Sequence, residues 1–284
     1  MGFRGRPVLI ALARIAAAIG AVAIIAVAAI WVLQERLVFL PPPVPSQQGR
    51  GAERVAYVAA DGQQLFGFLV GDTAANGAPF VIAFHGNGDL ADSWIDWARD
   101  VAAAEKCRVL LAEYRGYGGL AGRTTYAGVM LDARAAVAFA QRRFGVDERD
   151  VVLYGHSLGS GVATQLATEI DARAVLLEAP LTSVVEVGQR NFRAPISWLL
   201  PFVSRIDFAP LQRVRVIRAP VSVAVGARDD VLPPSMGRRV YQSARRRGGF
   251  LEVLDAGHSD VASLGGDRYW AWLRAAITDT AAKR

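Results

Sequence analysis

Hydrophobic and polar positions divide the chain into three zones. Residues 15–33 carry no charge and almost no polar side chain. Their length approaches the roughly 20 residues that a helix needs to cross a bilayer. Residues 34–52 include Pro41, Pro42, Pro43 and Pro45, which predict a stiff, extended linker. From residue 53 onward, apolar runs and helical spacing alternate, so a folded domain is predicted over residues 53–284.

Within this domain, short apolar runs predict strands at 54–58, 65–70, 80–84, 109–113, 151–154, 174–178, 220–225 and 250–254. Helical spacing occurs at 93–104, 125–143, 158–170, 235–245 and 260–276, with Thr124 as the candidate N-cap of the second helix. The first two strands flank the turn Asp61-Gly62 and predict a hairpin. The later alternation predicts an α/β fold with a mostly parallel central sheet and helices on both faces.

The apolar segment 15–33 has basic residues on one side only. Arg4, Arg6 and Arg14 precede it, and Trp31 lies near its far end, where an interfacial anchor is expected. A cleaved signal peptide is the alternative, but its apolar core is typically about 7–15 residues long. We therefore predict an uncleaved transmembrane signal anchor. The arginine bias predicts residues 1–14 in the cytoplasm and the folded domain outside it, in the periplasm if the source is bacterial.

Composition narrows the range of partners. The chain is 52% hydrophobic with a net charge of +6, supplied almost wholly by arginine. Basic clusters such as residues 245–247 are interpreted as solvated faces, with attraction to anionic lipid as the alternative. No basic motif with interleaved aromatic residues indicates nucleic-acid binding, and no motif predicts a metal or another cofactor. The single cysteine, Cys107, excludes an internal disulfide and is interpreted as a buried thiol.

The segment Gly155-His156-Ser157-Leu158-Gly159 follows a predicted strand and precedes a predicted helix. A G-x-S-x-G turn in this context lifts the serine hydroxyl above the sheet, and the glycines let neighbouring backbone approach closely. The helix also directs its positive dipole end at the site. We therefore predict Ser157 as a nucleophile.

A serine nucleophile needs a base to take its proton. The chain has three histidines, and only His258 follows Ser157 in the order Ser, Asp, His that this type of sheet uses. It lies just past the last predicted strand, so His258 is the predicted base. His156 is expected to point away from the reaction centre. His85 is interpreted as a hydrogen-bonded loop anchor with no role in proton transfer.

An acid must orient the histidine, and backbone N–H groups must stabilise the oxyanion. The loop 226–233 offers two neighbouring aspartates, Asp229 and Asp230. The predicted oxyanion donors are the N–H of Leu158, which follows the nucleophile, and the N–H of Asn87 in the loop 85–88.

Seven segments in order resemble α/β-hydrolases, and more closely a membrane-anchored, small-lid subgroup of serine hydrolases that includes protein depalmitoylases. They are QERLVFLPPP after the apolar segment, HGNGD at 85–89, EYRGYGG at 113–119, YGHSLGSG at 154–161, LEAPLTS at 177–183, GARDDVLP at 226–233 and AGHSD at 256–260. The resemblance covers about residues 31–275. It implies the α/β-hydrolase fold and a Ser-His-Asp triad. The family's G-x-x-D-x-x-V-P pattern selects Asp229 over Asp230.

The sequence departs from the family at several positions. Glu113 stands where an aspartate is usual, Leu120 where a serine is usual, and the H-G-N-A-G loop is shortened here to residues 85–89. These departures leave the predicted triad unchanged but make the family's substrate preference an unsafe guide for this chain. Arg115 is interpreted as a structural ion-pair residue. The resemblance implies a short lid at 181–219, whose apolar core 195–202 is expected to pack on the domain, line an acyl pocket or touch the bilayer.

The resulting hypothesis is a membrane-anchored serine hydrolase that cleaves an ester or thioester through an acyl-enzyme. Its expected partners are a small-molecule or acylated substrate and the lipid bilayer. A serine peptidase or amidase with the same triad is the alternative enzyme. A catalytically silent hydrolase-fold binding protein is the alternative from another class. Such proteins usually lose a triad member, whereas this chain keeps all three.

Overall fold

The computed structural model describes residues 6–46, 51–71 and 78–278, and residues 6–8 without their side chains. Arg4 and part of the predicted linker, residues 47–50, therefore lie outside the described residues. The strands are β1 Glu53–Val58, β2 Gln64–Val70, β3 Phe80–Phe84, β4 Arg108–Ala112, β5 Val151–His156, β6 Ala174–Glu178, β7 Val221–Gly226 and β8 Arg247–Val253. The helices are α1 Arg6–Val38, α2 Ile95–Glu105, α3 Tyr126–Phe144, α4 Leu158–Leu166, α5 Val184–Asn191, α6 Ile196–Val203, α7 Pro210–Arg213, α8 Pro234–Ser243 and α9 Val261–Thr278.

The strands form one sheet in the order β1-β2-β4-β3-β5-β6-β7-β8. The first two strands pair antiparallel, and β2 also runs antiparallel to β4. From β4 to β8 every neighbouring pair is parallel. The structure therefore confirms the predicted fold class. The carboxyl ends of β3, β5, β6, β7 and β8 share one edge of the sheet, which is where ligands bind in sheets of this kind.

The central strands β3, β5, β6 and β7 are buried along their whole length. This burial explains why they appear in the sequence as continuous apolar runs without alternation. Helices α3, α4 and α8 contribute to the core on one face of the sheet, and α2 and α9 contribute to the core on the other face. Both faces are thus covered, as predicted.

The predicted N-cap of α3 is wrong by one residue. Thr125, rather than Thr124, has extended backbone, and its side-chain oxygen accepts a hydrogen bond from the Gly128 N–H at 3.0 Å. The Thr124 hydroxyl instead donates to the Arg115 carbonyl at 2.8 Å. Two adjacent threonines are equally good caps by sequence, and the tertiary contact of Thr124 decides between them.

Helix α1 is 33 residues long and contains the apolar segment. Its most apolar 18-residue window has a mean hydropathy of 2.7, and none of that window is buried in the structure. By length and composition the helix could cross a membrane, although a signal sequence would satisfy the same criteria.

The linker differs from the expected extended spacer. Residues 34–38 still belong to α1, and both ends of the stretch from residue 39 to residue 46 contact the domain. Phe39 is buried and meets the Phe208 ring edge-on, with 6.2 Å between the ring centroids. The Ser46 N–H donates to the Gly118 carbonyl at 3.1 Å. Prolines stiffen this segment, but the burial of Phe39 holds its start against the domain surface.

Candidate active site

The candidate nucleophile Ser157 lies at the turn between β5 and α4. Its backbone has φ 51° and ψ −118°, values that cost a non-glycine residue about 1–3 kcal/mol. Two glycines make the turn possible. A Cβ atom at Gly155 would overlap the Gly159 carbonyl oxygen, and one at Gly159 would overlap the Phe84 carbonyl oxygen. The glycine spacing therefore reflects close backbone contact, and the turn holds the serine at the carboxyl edge of the sheet.

Ser157 is joined to a histidine and an aspartate by two hydrogen bonds. Its Oγ lies 2.9 Å from His258 Nε2, and His258 Nδ1 lies 2.7 Å from Asp229 Oδ2. Because a carboxylate can only accept, His258 Nδ1 carries the proton and Nε2 is free to accept from the serine hydroxyl. The structure thus brings together all three residues predicted for the triad, in the geometry that general-base catalysis requires.

Of the two candidate acids, Asp229 is the one that contacts His258. Its carboxylate is buried, and Oδ1 accepts hydrogen bonds from the N–H groups of Val231 and Leu232 at 3.0 and 2.8 Å. Asp230 is exposed. Asp229 is therefore fixed from two directions, by backbone donors on one oxygen and by the histidine on the other.

His156 lies next to His258. Its Nε2 donates to the His258 carbonyl at 3.1 Å, and the two rings are 5.2 Å apart. Burial lowers the pKa of His156, which is consistent with a neutral ring that donates through Nε2. Because this hydrogen bond goes to the backbone of His258, His156 can support the position of the His258 ring without touching the Ser157 hydroxyl.

The predicted oxyanion donors lie at the same edge of the sheet. Gly86 packs directly on the nucleophile, since a Cβ at this position would lie 3.2 Å from Ser157 Cβ. Asn87 is the next residue in that loop. Leu158 begins α4, and N–H groups in the first turn of a helix have no partner within the helix. Both residues therefore belong to segments that flank Ser157.

The side chain of Asn87 joins this loop to the end of α1. Its Nδ2 donates to the Val38 carbonyl at 2.7 Å, and its Oδ1 accepts from the Leu40 N–H at 2.8 Å. The Tyr117 hydroxyl donates to the same Oδ1 at 2.9 Å. Sequence reasoning singled out Asn87 for its backbone N–H alone. Nothing in the local motif indicates the role of its side chain, because the partners are distant in sequence.

A buried ion pair supports the same loop. His85 donates through Nδ1 to the Gly86 carbonyl and through Nε2 to Glu113, both at 2.8 Å. Burial disfavours the charged ring, but the charge and hydrogen bond of Glu113 outweigh it, so the pKa of His85 is raised. The Glu113 carboxylate also accepts from three further donors, which are the N–H groups of Ala91 and Tyr114 and the hydroxyl of Ser46. His85 is thus a loop anchor, and sequence reasoning missed its partner Glu113.

Two other polar residues take structural positions. The Arg115 guanidinium pairs with Asp132 and with Asp61, each at 2.6 Å, so it lies in an ion-pair network as expected. Cys107 is buried. Among the residues that the structure describes, no group of three or more His, Cys, Asp or Glu side chains could hold a metal ion.

The chain is similar in sequence to known proteins across most of its length. A model of the alpha/beta hydrolase family matches residues 80–215. An uncharacterized protein of Mycobacterium tuberculosis is 32% identical over 261 residues, which cover 89% of this chain and 90% of that protein. The alpha/beta hydrolase domain-containing protein WAV2 of Arabidopsis thaliana is 26% identical, with 88% of this chain and 89% of that protein covered. The chain belongs to the α/β-hydrolase superfamily.

Solved structures agree with this assignment. The esterase Pf2001 of Pyrococcus furiosus has a TM-score of 0.63 to this α/β-hydrolase at 21% identity, covering 82% of this chain and 96% of that structure. Similarity at this level shows the fold. Residues 181–219, the segment predicted to form a short lid, contain α5, α6 and α7.

Proposed function

We propose that this α/β-hydrolase is a membrane-anchored serine hydrolase that cleaves an ester or thioester through an acyl-enzyme. The observation that carries the proposal is the hydrogen-bonded series Asp229–His258–Ser157 at a strained turn. The fold shared with the esterase Pf2001 supports ester chemistry. The substrate is a small ester or an acylated molecule.

The mechanism uses only protein groups and water. Ser157 Oγ attacks the substrate carbonyl carbon while His258 Nε2 takes the hydroxyl proton, and Asp229 stabilises the resulting imidazolium. The N–H groups of Leu158 and Asn87 stabilise the oxyanion. When the intermediate collapses, His258 returns the proton to the departing alcohol or thiol. Water, deprotonated by His258, then hydrolyses the acyl-enzyme and regenerates Ser157.

The anchor proposal rests on the apolar run in α1. Residues 15–33 are uncharged, and three arginines precede them. By the positive-inside rule, residues 1–14 are cytoplasmic and the domain at 53–284 is extracytoplasmic. Alkaline carbonate washing of membranes tests the anchor, and protease treatment of intact spheroplasts tests the orientation. Release by carbonate would contradict the anchor, and a protease-protected domain would contradict the orientation.

The nucleophile is tested by labelling with a fluorophosphonate. Wild type should be labelled, and Ser157→Ala should lose both labelling and hydrolysis. Ser263→Ala is the matched control, because Ser263 is exposed and its hydroxyl bonds only a nearby carbonyl. Turnover by Ser157→Ala at the wild-type rate would disprove the triad assignment. A panel of p-nitrophenyl esters of increasing chain length, with matched thioesters and anilides, separates ester, thioester and amide hydrolysis.

A further inference from the structure

Helix α6 in the lid exposes an apolar surface. Its sequence ISWLLPFV contains only one polar residue, yet none of its residues is buried. Trp198 is 70% exposed and Phe202 is 86% exposed. These two residues are four positions apart and lie on the same side of the helix. Large exposed aromatic side chains grouped on one short helix are typical of a surface that contacts another molecule or a membrane.

The opposite side of α6 is already used within the protein. Leu200 packs against Gly188 of α5 so closely that a Cβ at Gly188 would lie 2.8 Å from Leu200 Cδ1. Helices α5 and α6 thus form a packed pair. Trp198 and Phe202 remain outside that contact, so they are not the residues that close the lid on the domain.

Helix α6 is fixed beside the end of α1. Gln34 Nε2 donates to the Val203 carbonyl at 3.4 Å, and Gln34 Oε1 accepts from the Arg205 N–H at 2.6 Å. The Arg205 guanidinium donates to the Trp31 carbonyl at 2.9 Å and lies 4.0 Å from the centre of the Trp31 ring. These contacts set the position of α6 along the axis of α1, at the level of residues 31–34.

That level is the edge of the apolar segment. At 1.5 Å per residue, residues 15–33 extend about 28 Å, close to the thickness of the hydrocarbon core. If this segment spans the bilayer, Trp31 lies at the outer interface, and the contacts of Arg205 and Val203 hold the end of α6 there too. Phe202 is next to Val203, so its exposed ring lies at the same depth.

The charges around α6 suit a membrane surface. Arg193 precedes the helix and Arg205 follows it, and both are exposed. Residues 192–206 contain no acidic residue. An apolar helix flanked by arginines is typical of segments that lie in the interface, with the rings among acyl chains and the guanidinium groups near lipid phosphates.

We propose that α6 is a second membrane contact, which lies in the outer interface of the bilayer with Trp198 and Phe202 inserted among the lipids. This inference rests on the anchor in the proposed function. The lid leaves the sheet just after β6, next to the strand that carries Ser157. Contact of α6 with lipid therefore brings the active-site edge of the sheet towards the membrane surface.

Site-directed spin labelling of the full chain tests this proposal. Phe202→Cys, Val22→Cys and Val216→Cys are each labelled with a nitroxide, and each protein is placed singly in nanodiscs of zwitterionic and anionic phospholipid. Val22 lies within α1, and Val216 is a matched exposed apolar control at the amino edge of the sheet. Burial raises the pKa of Cys107 to about 12, so this thiol will not compete for the label.

Collisions with oxygen report contact with lipid, and collisions with a water-soluble nickel chelate report contact with water. We expect the labels at positions 22 and 202 to collide mainly with oxygen. Their collision rate with the nickel chelate should be several-fold lower than that of the label at position 216. A label at 202 that is as accessible to nickel as the label at 216 would refute the proposal while leaving the anchor intact. Protection from both reagents would also refute it, because protein would then cover α6. Nickel access at 22 would refute the anchor itself.

Discussion

The two sides of the candidate active site are held in different ways. On the base side, Asp229 and His258 follow β7 and β8, and they bond to each other and to Ser157. On the oxyanion side, the loop after β3 is held by the His85–Glu113 pair and by Asn87. The base side is therefore held by segments that follow neighbouring strands, whereas the oxyanion side also depends on the end of α1.

The kind of support differs as well. On the base side, backbone segments pack so closely that a Cβ at Gly226 would overlap the Gly257 carbonyl oxygen. Backbone donors also fix Asp229. On the oxyanion side, backbone packing holds only the start of the loop, where a Cβ at Gly159 would overlap the Phe84 carbonyl oxygen. Further along, side-chain hydrogen bonds connect the loop to its surroundings. A single substitution removes a side-chain bond but leaves backbone packing in place, so the oxyanion side should be the easier one to loosen without destroying the triad.

The largest expected effect tests the base side. Asp229→Asn should lower kcat by about 10⁴-fold, because the amide leaves His258 in the wrong tautomer. Asp230→Asn is the matched control and should remain near wild type, since Asp230 is exposed. Steady-state kinetics on a p-nitrophenyl ester measure both. The reverse order of effects would show that Asp230 is the acid.

The next effect tests the buried pair under the oxyanion loop. Glu113→Gln removes the charge that faces His85 in a fully buried site. Loss of one partner of a buried pair costs about 3–5 kcal/mol of unfolding free energy. At about 2–4 °C per kcal/mol, the Tm of the full chain in detergent should therefore fall by roughly 6–20 °C. Glu169→Gln, which breaks a partly exposed pair with Arg134, should shift it far less.

The dependence of stability on pH separates charge from packing in this pair. The raised pKa of His85 means that the folded protein keeps its proton to a higher pH than the unfolded chain, whose histidine pKa is about 6.5. The stabilisation is complete below that pH and is lost as the pH rises through the raised value. Wild type should thus lose stability above pH 6.5 more steeply than Glu113→Gln. Parallel profiles would show that His85 is not charged.

Much of the fold could be predicted because its signals are local. Buried parallel strands appear as apolar runs, and strand ends fix where Ser157 and His258 meet, although they are 101 positions apart. The sequence patterns do not predict α5 and α6 individually. For α6 the reason is that every residue except Ser197 is apolar, so the helix has no period to detect. The bond between Asn87 and Leu40 spans 47 positions and depends on where α1 ends against the domain. No local pattern encodes that contact.

A moderate effect tests whether the end of α1 supports the oxyanion loop. Asn87→Ala keeps the backbone N–H but removes the bonds to Val38, Leu40 and Tyr117. Full loss of an oxyanion donor costs about 10²–10³-fold in kcat, so a loosened donor should cost roughly 10-fold. KM should hardly change, because the oxyanion forms only in the transition state. Tyr117→Phe removes one bond of the three and should cost less. A change confined to KM would contradict this role.

The smallest effect concerns a charged pair near the end of α1. Glu35 lies 3.5 Å from Arg123, whose side chain is 55% exposed, and Glu35 Oε1 accepts from the Tyr126 N–H at 3.2 Å. Glu35→Gln removes the ion pair but keeps an oxygen that can accept from Tyr126. The Glu35 side chain is 14% exposed, but water reaches the pair from the Arg123 side, so the pair should contribute no more than about 1 kcal/mol. The unfolding temperature should therefore shift by less than about 4 °C, and kcat should stay near wild type. Arg123→Gln should have the same small effect, and the double variant should be no worse than either single one. A loss of kcat equal to that of Asn87→Ala would contradict this expectation and show that the charge of Glu35, as well as the Asn87 hydrogen bonds, holds α1 against the active site.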